Sequence, residues 1–419
     1  MTKFEKKLEE YADLLIRVGI NLQEGQKLFI SAPISAATFA RMLMEKAYSA
    51  GAKRVTIDYN DELASKMTLE MAPEEGLKDF PLWKARGFVE MAEENVAFLN
   101  IASPNPKLLN DVEPSRVATA MKAQDLANKD YLEYITSGKI SWLIAAIPSV
   151  EWAKTVFPDV DDEKAVSLLW EQIFYTTRAD QEQPVQLWKQ HIDNLSKYAD
   201  YLNNQNFSKL HYTGSGTDLT IELDSESFWM CAEFENDKGV SFIPNLPTEE
   251  VFTIPVKTGV NGVVSSSKPL NYSGNLIKDF TLTFKEGQVV DFTASEGYDT
   301  LKQLIEMDEG SRYLGEVALV PHDSPISNTN IIFNNTLFDE NASCHLALGN
   351  ALTMCVKDGK NKTKAQLEAM GFNESITHVD FMIGNGELSI EGVKQDGTME
   401  TIFHKGNWAI DINAVATNE

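Results

Sequence analysis

The apolar and polar positions divide the chain into two halves with different predicted secondary structure. In the first half, short apolar runs typical of buried strands alternate with segments whose apolar residues recur every three or four positions. The strand-like runs are KLFISAP, KRVTIDYND, NVAFLNIASP and ISWLIAAIPS, and the helical segments include AATFARMLMEKAYSAGA and EKAVSLLWEQIFYTTR. Strands and helices that alternate at this spacing predict right-handed βαβ units on a mainly parallel sheet.

From Lys209 onwards the pattern changes to short alternating strands with glycine-bearing turns. The segment LHYTGSGTDLTIEL alternates around a Gly-Ser-Gly turn, which predicts a β-hairpin, and residues 261–294 contain several more short strands. We therefore expect an α/β N-terminal domain with a mainly parallel sheet over residues 1–206. Residues 207–419 should form an α+β C-terminal domain with much antiparallel sheet.

The charge balance restricts the partners of such a protein. The chain contains 62 Asp and Glu against 37 Lys and Arg, a formal net charge of −25. Nucleic-acid backbones and anionic membranes bind clustered Lys and Arg, so this balance argues against both as partners. A strong negative field attracts cations, including metal ions and free amines.

Cysteine use and hydropathy indicate the cellular compartment. Only Cys231, Cys344 and Cys355 occur, without a CxxC pair, so the sequence does not predict a disulfide framework. The start of the chain is charged, and no apolar run has the length of a membrane-spanning helix. We therefore expect a cytoplasmic location.

The stretch ITHVDFMIG provides the first candidate for metal binding. It alternates like a strand, so His378 and Asp380 should project from the same face. An imidazole and a carboxylate placed in this way can bind a cation from a rigid platform. The alternative is a solvated face, because an HxD pair often occurs by chance.

Three further candidates lie beside apolar runs in the second half. Glu250 belongs to PNLPTEEVFTIP, where it is either a metal ligand or part of a charged strand end. Adjacent strand residues point to opposite faces, so Glu249 should face solvent or a second layer of contacts. Glu316 directly precedes the apolar VALV, so it is either paired or bound to a metal at the mouth of a core strand, or exposed at a helix–strand junction. His345 precedes LALGNAL, which we expect to form a buried helix, and it is either aimed at a cleft or an ordinary core histidine.

These candidates form a chemically consistent set. Three carboxylates and two imidazoles suit two hydrolytic divalent ions, which carboxylates can bridge. The helix-borne HExxH motif, the GxSxG elbow and the GxxxxGK[ST] phosphate loop are all absent from the sequence. Sequence alone does not establish that the five side chains converge.

At these residues the chain resembles the thermophilic-metalloprotease family of aminopeptidases, which includes aminopeptidase T, aminopeptidase S and PepS. The similar segments occur in the family's order and span essentially the whole chain, and the PepS branch resembles it most. They are NLPTEEVFTIP, LGEVALVP, SPIS, FNNTLFDENASCHLALG, HVDFMIG and GNWAI.

The resemblance implies a metal-dependent aminopeptidase, which would hydrolyse N-terminal residues from peptides with a free N-terminus by using a water activated by two metal ions. Zinc, cobalt or manganese would suit the site. The resemblance also implies a homodimer, and Glu316 or Glu250 would act as the general base. The metal ligands that it implies are Glu250, Glu316, His345, His378 and Asp380, with Glu340 as an additional member.

One position departs from the family pattern. The family has a tyrosine seven residues after the histidine ligand, and this chain has Leu352 there. Leucine has no hydrogen-bond donor to offer an oxyanion. Three alternatives stay open at this position: another donor substitutes, the metals suffice, or this member is slow. The rival functions are a catalytically weak or inactive metal- or peptide-binding homologue and a dinuclear phosphoesterase.

Overall fold

A computed structural model describes residues 2–272 and 275–412, and within it the chain forms two compact units. The first unit comprises Met1–Ile192 and Ala232–Thr248, and the second comprises Asp193–Cys231 and Glu249–Glu419. The chain therefore passes from the first unit to the second, returns for one short segment, and then stays in the second unit.

The first unit contains a five-stranded sheet and the helices that accompany it along the chain. Its helices are α1 (Lys3–Leu14), α2 (Ala37–Ser49), α3 (Glu62–Met71), α4 (Glu74–Leu77), α5 (Leu82–Glu93), α6 (Pro114–Thr136), α7 (Val150–Val156), α8 (Asp162–Thr176) and the first part of α9 (Pro184–Gln205). Its first four strands are β1 (Lys27–Pro33), β2 (Arg54–Asn60), β3 (Ala97–Ala102) and β4 (Trp142–Ala146).

These four strands pair in parallel in the order β4-β3-β1-β2, which confirms the predicted α/β architecture. The two central strands, β1 and β3, are mostly buried, as their continuous apolar runs require for a sheet covered on both faces. The edge strand β2 is largely exposed or half-buried. Phe29 and Phe98 on neighbouring strands pack with Ile140 in one part of the core.

The second unit is mostly antiparallel sheet, as the sequence predicts. Its helices are the rest of α9, α10 (Tyr298–Ile305), α11 (Pro325–Asn328), α12 (Thr336–Asp339) and α13 (Lys364–Ala369). The remaining strands of the chain are β5 (Lys209–Gly214), β6 (Thr217–Glu222), β7 (Met230–Cys231), β8 (Phe234–Glu235), β9 (Ser241–Phe242), β10 (Asn245–Leu246), β11 (Val251–Thr253), β12 (Val260–Ser265), β13 (Leu270–Tyr272), β14 (Asn275–Ile277), β15 (Thr281–Lys285), β16 (Gln288–Thr293), β17 (Leu314–Leu319), β18 (His345–Gly349), β19 (His378–Met382), β20 (Ser389–Val393), β21 (Met399–His404) and β22 (Asn407–Trp408).

Strands β8, β9 and β10 belong to the returning segment of the first unit, where β10 pairs in parallel with β4 as a fifth strand. In the second unit, β5 and β6 form the predicted hairpin within an eight-stranded sheet. A separate five-stranded sheet has the order β19-β18-β17-β11-β7, and its pairs are antiparallel.

The predicted buried helix after His345 is wrong, because residues 345–349 form the β18 strand between β17 and β19. All five residues are buried. The sequence HLALG is rich in helix-forming Leu and Ala, but pairing on both sides in a buried sheet outweighs that weak local preference.

Among the described residues, no helix combines the length and the apolar character that crossing a bilayer requires.

Candidate metal centre

Four neighbouring strands of the five-stranded sheet carry or adjoin five of the six predicted site residues, and the sixth, Glu340, begins a 3₁₀ turn at residues 340–342. Glu250 directly precedes β11, Glu316 lies within β17, and His345 is the first residue of β18. His378 and Asp380 are the first and third residues of β19. The sheet order therefore brings together residues that are far apart in the sequence.

Strand register places the central side chains on the same face of this sheet. Glu316 is paired with Ala347, and Ala347 is paired in turn with Asp380. Directly paired residues share a face, and alternation places His345 and His378 on that face as well. Ala347 thus contributes only a methyl group between two carboxylates, which leaves space in front of the sheet.

A β-bulge in β17 contributes to the placement of Glu316. The register with β18 shifts between Leu314 and Glu316, which leaves Gly315 as the extra residue. A Cβ atom at Gly315 would lie 2.3 Å from the Asn350 carbonyl oxygen and 2.4 Å from that of Gly349. Glycine is required because the two backbones approach each other so closely.

Glu316 lies between the two histidines and joins two groups of potential ligands. Its Oε1 is 3.6 Å from His345 Nε2, and its Oε2 is 3.3 Å from His378 Nε2. Glu250 Oε2 lies 3.1 Å from His345 Nε2, and Asp380 Oδ1 lies 3.5 Å from His378 Nε2. The groups are Glu250–Glu316–His345 and Glu316–His378–Asp380, and in each the ligand atoms lie within 4.8 Å of one another.

Backbone carbonyls orient both imidazole rings. His345 Nδ1 is 2.9 Å from the Glu340 carbonyl oxygen and 3.2 Å from that of Ser343. His378 Nδ1 is 2.7 Å from the Asn350 carbonyl oxygen. Carbonyl oxygens only accept hydrogen bonds, so each Nδ1 carries a hydrogen and each Nε2 faces the carboxylates, as in a metal-binding histidine.

The charges of the cluster are strongly interdependent. Burial disfavours ionised Glu316, but the neighbouring imidazoles of His345 and His378 outweigh burial and hold its pKa at about 2. Burial would lower the pKa of His345, yet Glu250 and Glu316 raise it well above its ordinary value. The pKa of His378 is likewise raised against burial, by Asp380 and Glu316.

The other carboxylates show that negative charge is in excess. Burial raises the pKa of Glu250, although its hydrogen bond with His345 opposes the shift. Burial raises the pKa of Glu340 well above its ordinary value, and the charges of Asp380 and Glu250 add to this effect. Glu340 therefore lies within the electrostatic reach of the cluster. Four carboxylates here face two imidazoles.

This donor set fits divalent metal ions. Asp380 Oδ1 is buried and accepts no hydrogen bond of normal geometry from any described residue. A buried carboxylate oxygen of this kind is costly unless a cation neutralises it. Carboxylate oxygens and imidazole nitrogens with fixed outer hydrogen bonds are the ligands that zinc, cobalt and manganese accept.

The described structure favours burial over solvation for the predicted residues. Glu316 is 5% exposed in the interior of a strand, not at an exposed junction, and His345 is 1% exposed. The side chains of His378 and Asp380 are 27% and 16% exposed, so their strand face is only partly solvated. Glu249 is also buried, and its backbone N–H donates to Asn341 Oδ1.

Residue-type reasoning missed the groups that hold the ligands in place. Asn350 contributes only a backbone carbonyl to His378, and Ala347 contributes only its small size. Neither role has a residue-type signature. Asn341 follows the candidate Glu340 in the sequence, but its burial and its partners are visible only in the structure. Leu352 is half-buried and directly precedes a short 3₁₀ helix at residues 353–355.

Comparison with known proteins gives consistent matches over nearly the full length. Residues 4–408 match the family model of the thermophilic metalloproteases (M29). Aminopeptidase 2 of Geobacillus stearothermophilus and aminopeptidase AmpS of Bacillus subtilis are each 48% identical to the chain. Aminopeptidase PepS of Streptococcus thermophilus is 42% identical. Each comparison covers 98% of this chain and 100% of the relative.

A solved structure has the same fold. Wild-type AmpT from Thermus thermophilus matches with a TM-score of 0.90 at 40% sequence identity. The match covers 97% of this chain and 100% of AmpT. The resemblance inferred from the sequence motifs is therefore confirmed at the level of both sequence and fold.

Proposed function

The chain belongs to the thermophilic metalloprotease (M29) family, and from this premise we propose that it is a metal-dependent aminopeptidase with a dinuclear centre. Its substrates would be peptides with a free N-terminus. The relatives compared above are named aminopeptidases, which supports this substrate class.

One observation carries the dinuclear proposal. Glu316 directs one carboxylate oxygen towards each of the two histidines, and thereby belongs to both ligand groups. A carboxylate in this position can bridge two ions. The ligands would be Glu250 and His345 on one side of Glu316, and His378 and Asp380 on the other, with Glu340 as an additional member.

The side chains of this centre have distinct tasks in peptide hydrolysis. When bound, divalent ions would act as Lewis acids that increase the acidity of water and polarise the peptide carbonyl. Glu316 or Glu250 would accept the proton that water loses, through an oxygen that does not bind a metal, and return it to the leaving amine. The carbonyls that hold both Nδ1–H groups keep each Nε2 available as a ligand. The net charge of −25 over the whole chain attracts a substrate with a protonated terminal amine.

Three properties stay predictions of the sequence and the family resemblance. They are the identity of the metal among zinc, cobalt and manganese, the homodimer, and the cytoplasmic location. Metal analysis and light scattering of the purified protein would check the first two.

Removal of one ligand tests the proposed function. We expect His345→Ala to lose metal and to reduce hydrolysis of aminoacyl chromogenic substrates by at least about 10²-fold, because both Glu250 and Glu316 lose their shared imidazole partner. The measurements are metal content by mass spectrometry and the rate before and after treatment with a chelator. His404→Ala, at an exposed position of β21, is the matched control. Intact metal content and intact hydrolysis in His345→Ala would overturn the assignment.

A further inference from the structure

A buried asparagine connects the two chain segments that flank the first ligand group. Asn341 is fully buried and lies next to Glu340, at the centre of a 3₁₀ turn over residues 340–342. Its Oδ1 accepts a hydrogen bond of 2.8 Å from the backbone N–H of Glu249, the neighbour of Glu250. Its Nδ2 donates to Glu340 Oε1 at 3.2 Å and to the Leu337 carbonyl oxygen at 3.2 Å.

The orientation of this amide follows from its partners. A backbone N–H only donates and a carbonyl oxygen only accepts, so Oδ1 must face Glu249 and Nδ2 must face Leu337. With this orientation, Nδ2 also faces the Glu340 carboxylate as a donor. The Asn341 amide therefore connects the backbone just before β11 with Oε1 of the Glu340 carboxylate.

The connection extends to the histidine of the same group. The carbonyl oxygen of Glu340, one residue before Asn341, accepts the hydrogen bond from His345 Nδ1. The carbonyl oxygen of Asn341 itself accepts a hydrogen bond from Ser324 Oγ at 3.4 Å. The turn is thus held from both sides, and its position determines where both the Glu340 carboxylate and the His345 ring lie.

We propose that Asn341 is a positioning residue of the metal centre: it sets the separation between Glu250, on the β11 side, and Glu340 with His345, on the side of the turn. The proposal rests on the proposed function, because it concerns ligands of the same centre. Without the amide, the turn and the segment before β11 lose their direct connection. Glu340 also loses the donor that binds its Oε1 and fixes the orientation of its carboxylate.

If Asn341 only stabilised the fold, its truncation would lower stability without a separate effect on metal binding. Asn236 of the first unit offers a close match: it is 3% exposed, accepts hydrogen bonds from the backbone N–H groups of Lys238 and Val240, and donates to Ser141 Oγ. Truncation to alanine removes three side-chain hydrogen bonds at either site. Loss of stability should therefore be similar, whereas an effect on metal binding should be confined to Asn341.

The experiment compares Asn341→Ala with Asn236→Ala in the full-length protein. Metal affinity is measured for zinc and for cobalt by competition with a chromogenic chelator, and thermal unfolding is recorded for the metal-free proteins. We expect Asn341→Ala to weaken metal binding by about 10- to 100-fold, as is usual for a residue that holds metal ligands in place. Asn236→Ala should stay within about twofold of wild type, although both variants unfold at a lower temperature.

The outcomes separate this proposal from the function on which it rests. Equal metal affinity in Asn341→Ala and wild type, or equal losses in the two variants, would overturn the positioning role. A wild-type protein without chelator-sensitive hydrolysis would instead contradict the proposed function. If Asn341→Ala does not fold, Asn341→Ser is measured in its place, because its hydroxyl keeps a local hydrogen bond but does not span from Glu249 to Glu340.

Discussion

At the scale of single residues, Leu352 is the position where this chain departs from the chemistry that its family resemblance implies. Two residues earlier, the carbonyl oxygen of Asn350 holds the ring of His378. Three residues later, burial raises the pKa of the Cys355 thiol well above its ordinary value, and the charges of Glu316 and Glu250 add to the effect. Both neighbours place the segment that contains Leu352 beside the candidate metal centre.

Replacement of Leu352 by tyrosine tests whether a donor is missing there. We expect Leu352→Tyr to raise kcat on aminoacyl substrates by about 10²-fold, because one added donor to a developing oxyanion has roughly that effect. Leu352→Phe is the matched control, since it adds the ring without the hydroxyl. Equal rates for the two variants would show that the phenol is not what the site lacks.

Residue types alone indicated the proposed ligands but not the groups that hold them in place. The candidates Glu250, Glu316 and His345 could be selected because charged or titratable side chains beside apolar runs are unusual. The orientation of both rings depends on backbone carbonyls, and every residue has one. Which carbonyls orient the two rings therefore follows only from the fold.

At the scale of elements, the four strands that carry or adjoin the proposed ligands show where local pattern is informative and where it is not. The alternation of ITHVDFMIG predicted the strand β19, and the structure has it at residues 378–382. The run HLALG has no alternation, because a strand buried on both faces is apolar on both faces. Its helix-forming residues then predicted the wrong element, and only its pairing with β17 and β19 defines it.

The bulge in β17 leads to a prediction at this scale. Gly315→Ala would place a methyl group against two backbone carbonyl oxygens, so β17 must shift and Glu316 must shift with it. We expect the free energy of unfolding to fall by about 1–3 kcal/mol. Metal affinity should fall at least about tenfold, because both ligand groups share Glu316. Chemical denaturation and chelator competition provide the two measurements.

A second glycine provides the control for this substitution. An alanine at Gly87, within α5, would meet no described atom within 4 Å. Gly87→Ala should therefore preserve metal affinity and stabilise the helix by up to about 1 kcal/mol. Wild-type metal affinity in Gly315→Ala would show that the bulge does not position Glu316.

At the scale of the whole molecule, the sequence predicted both types of architecture but not the path of the chain between the two units. Parallel and antiparallel sheet follow from the spacing of strands and helices. The return of residues 232–248 to the first unit has no comparable signal, because β10 has only two residues and no periodicity. Its pairing with β4 connects segments far apart in sequence, and such contacts depend on the tertiary fold.

Since all proposed ligands belong to the second unit, metal binding should stabilise one part of the molecule selectively. Ions that bind only the folded state add about 4 kcal/mol of stability at a thousandfold excess over the dissociation constant. We expect zinc or cobalt to slow amide hydrogen exchange in β11, β17, β18 and β19, measured by mass spectrometry against the chelated protein. Strands β1 to β4 of the first unit serve as the internal control and should change little. Equal slowing in both sheets, or none in β17 and β18, would contradict a centre built by Glu250, Glu316, His345, His378 and Asp380.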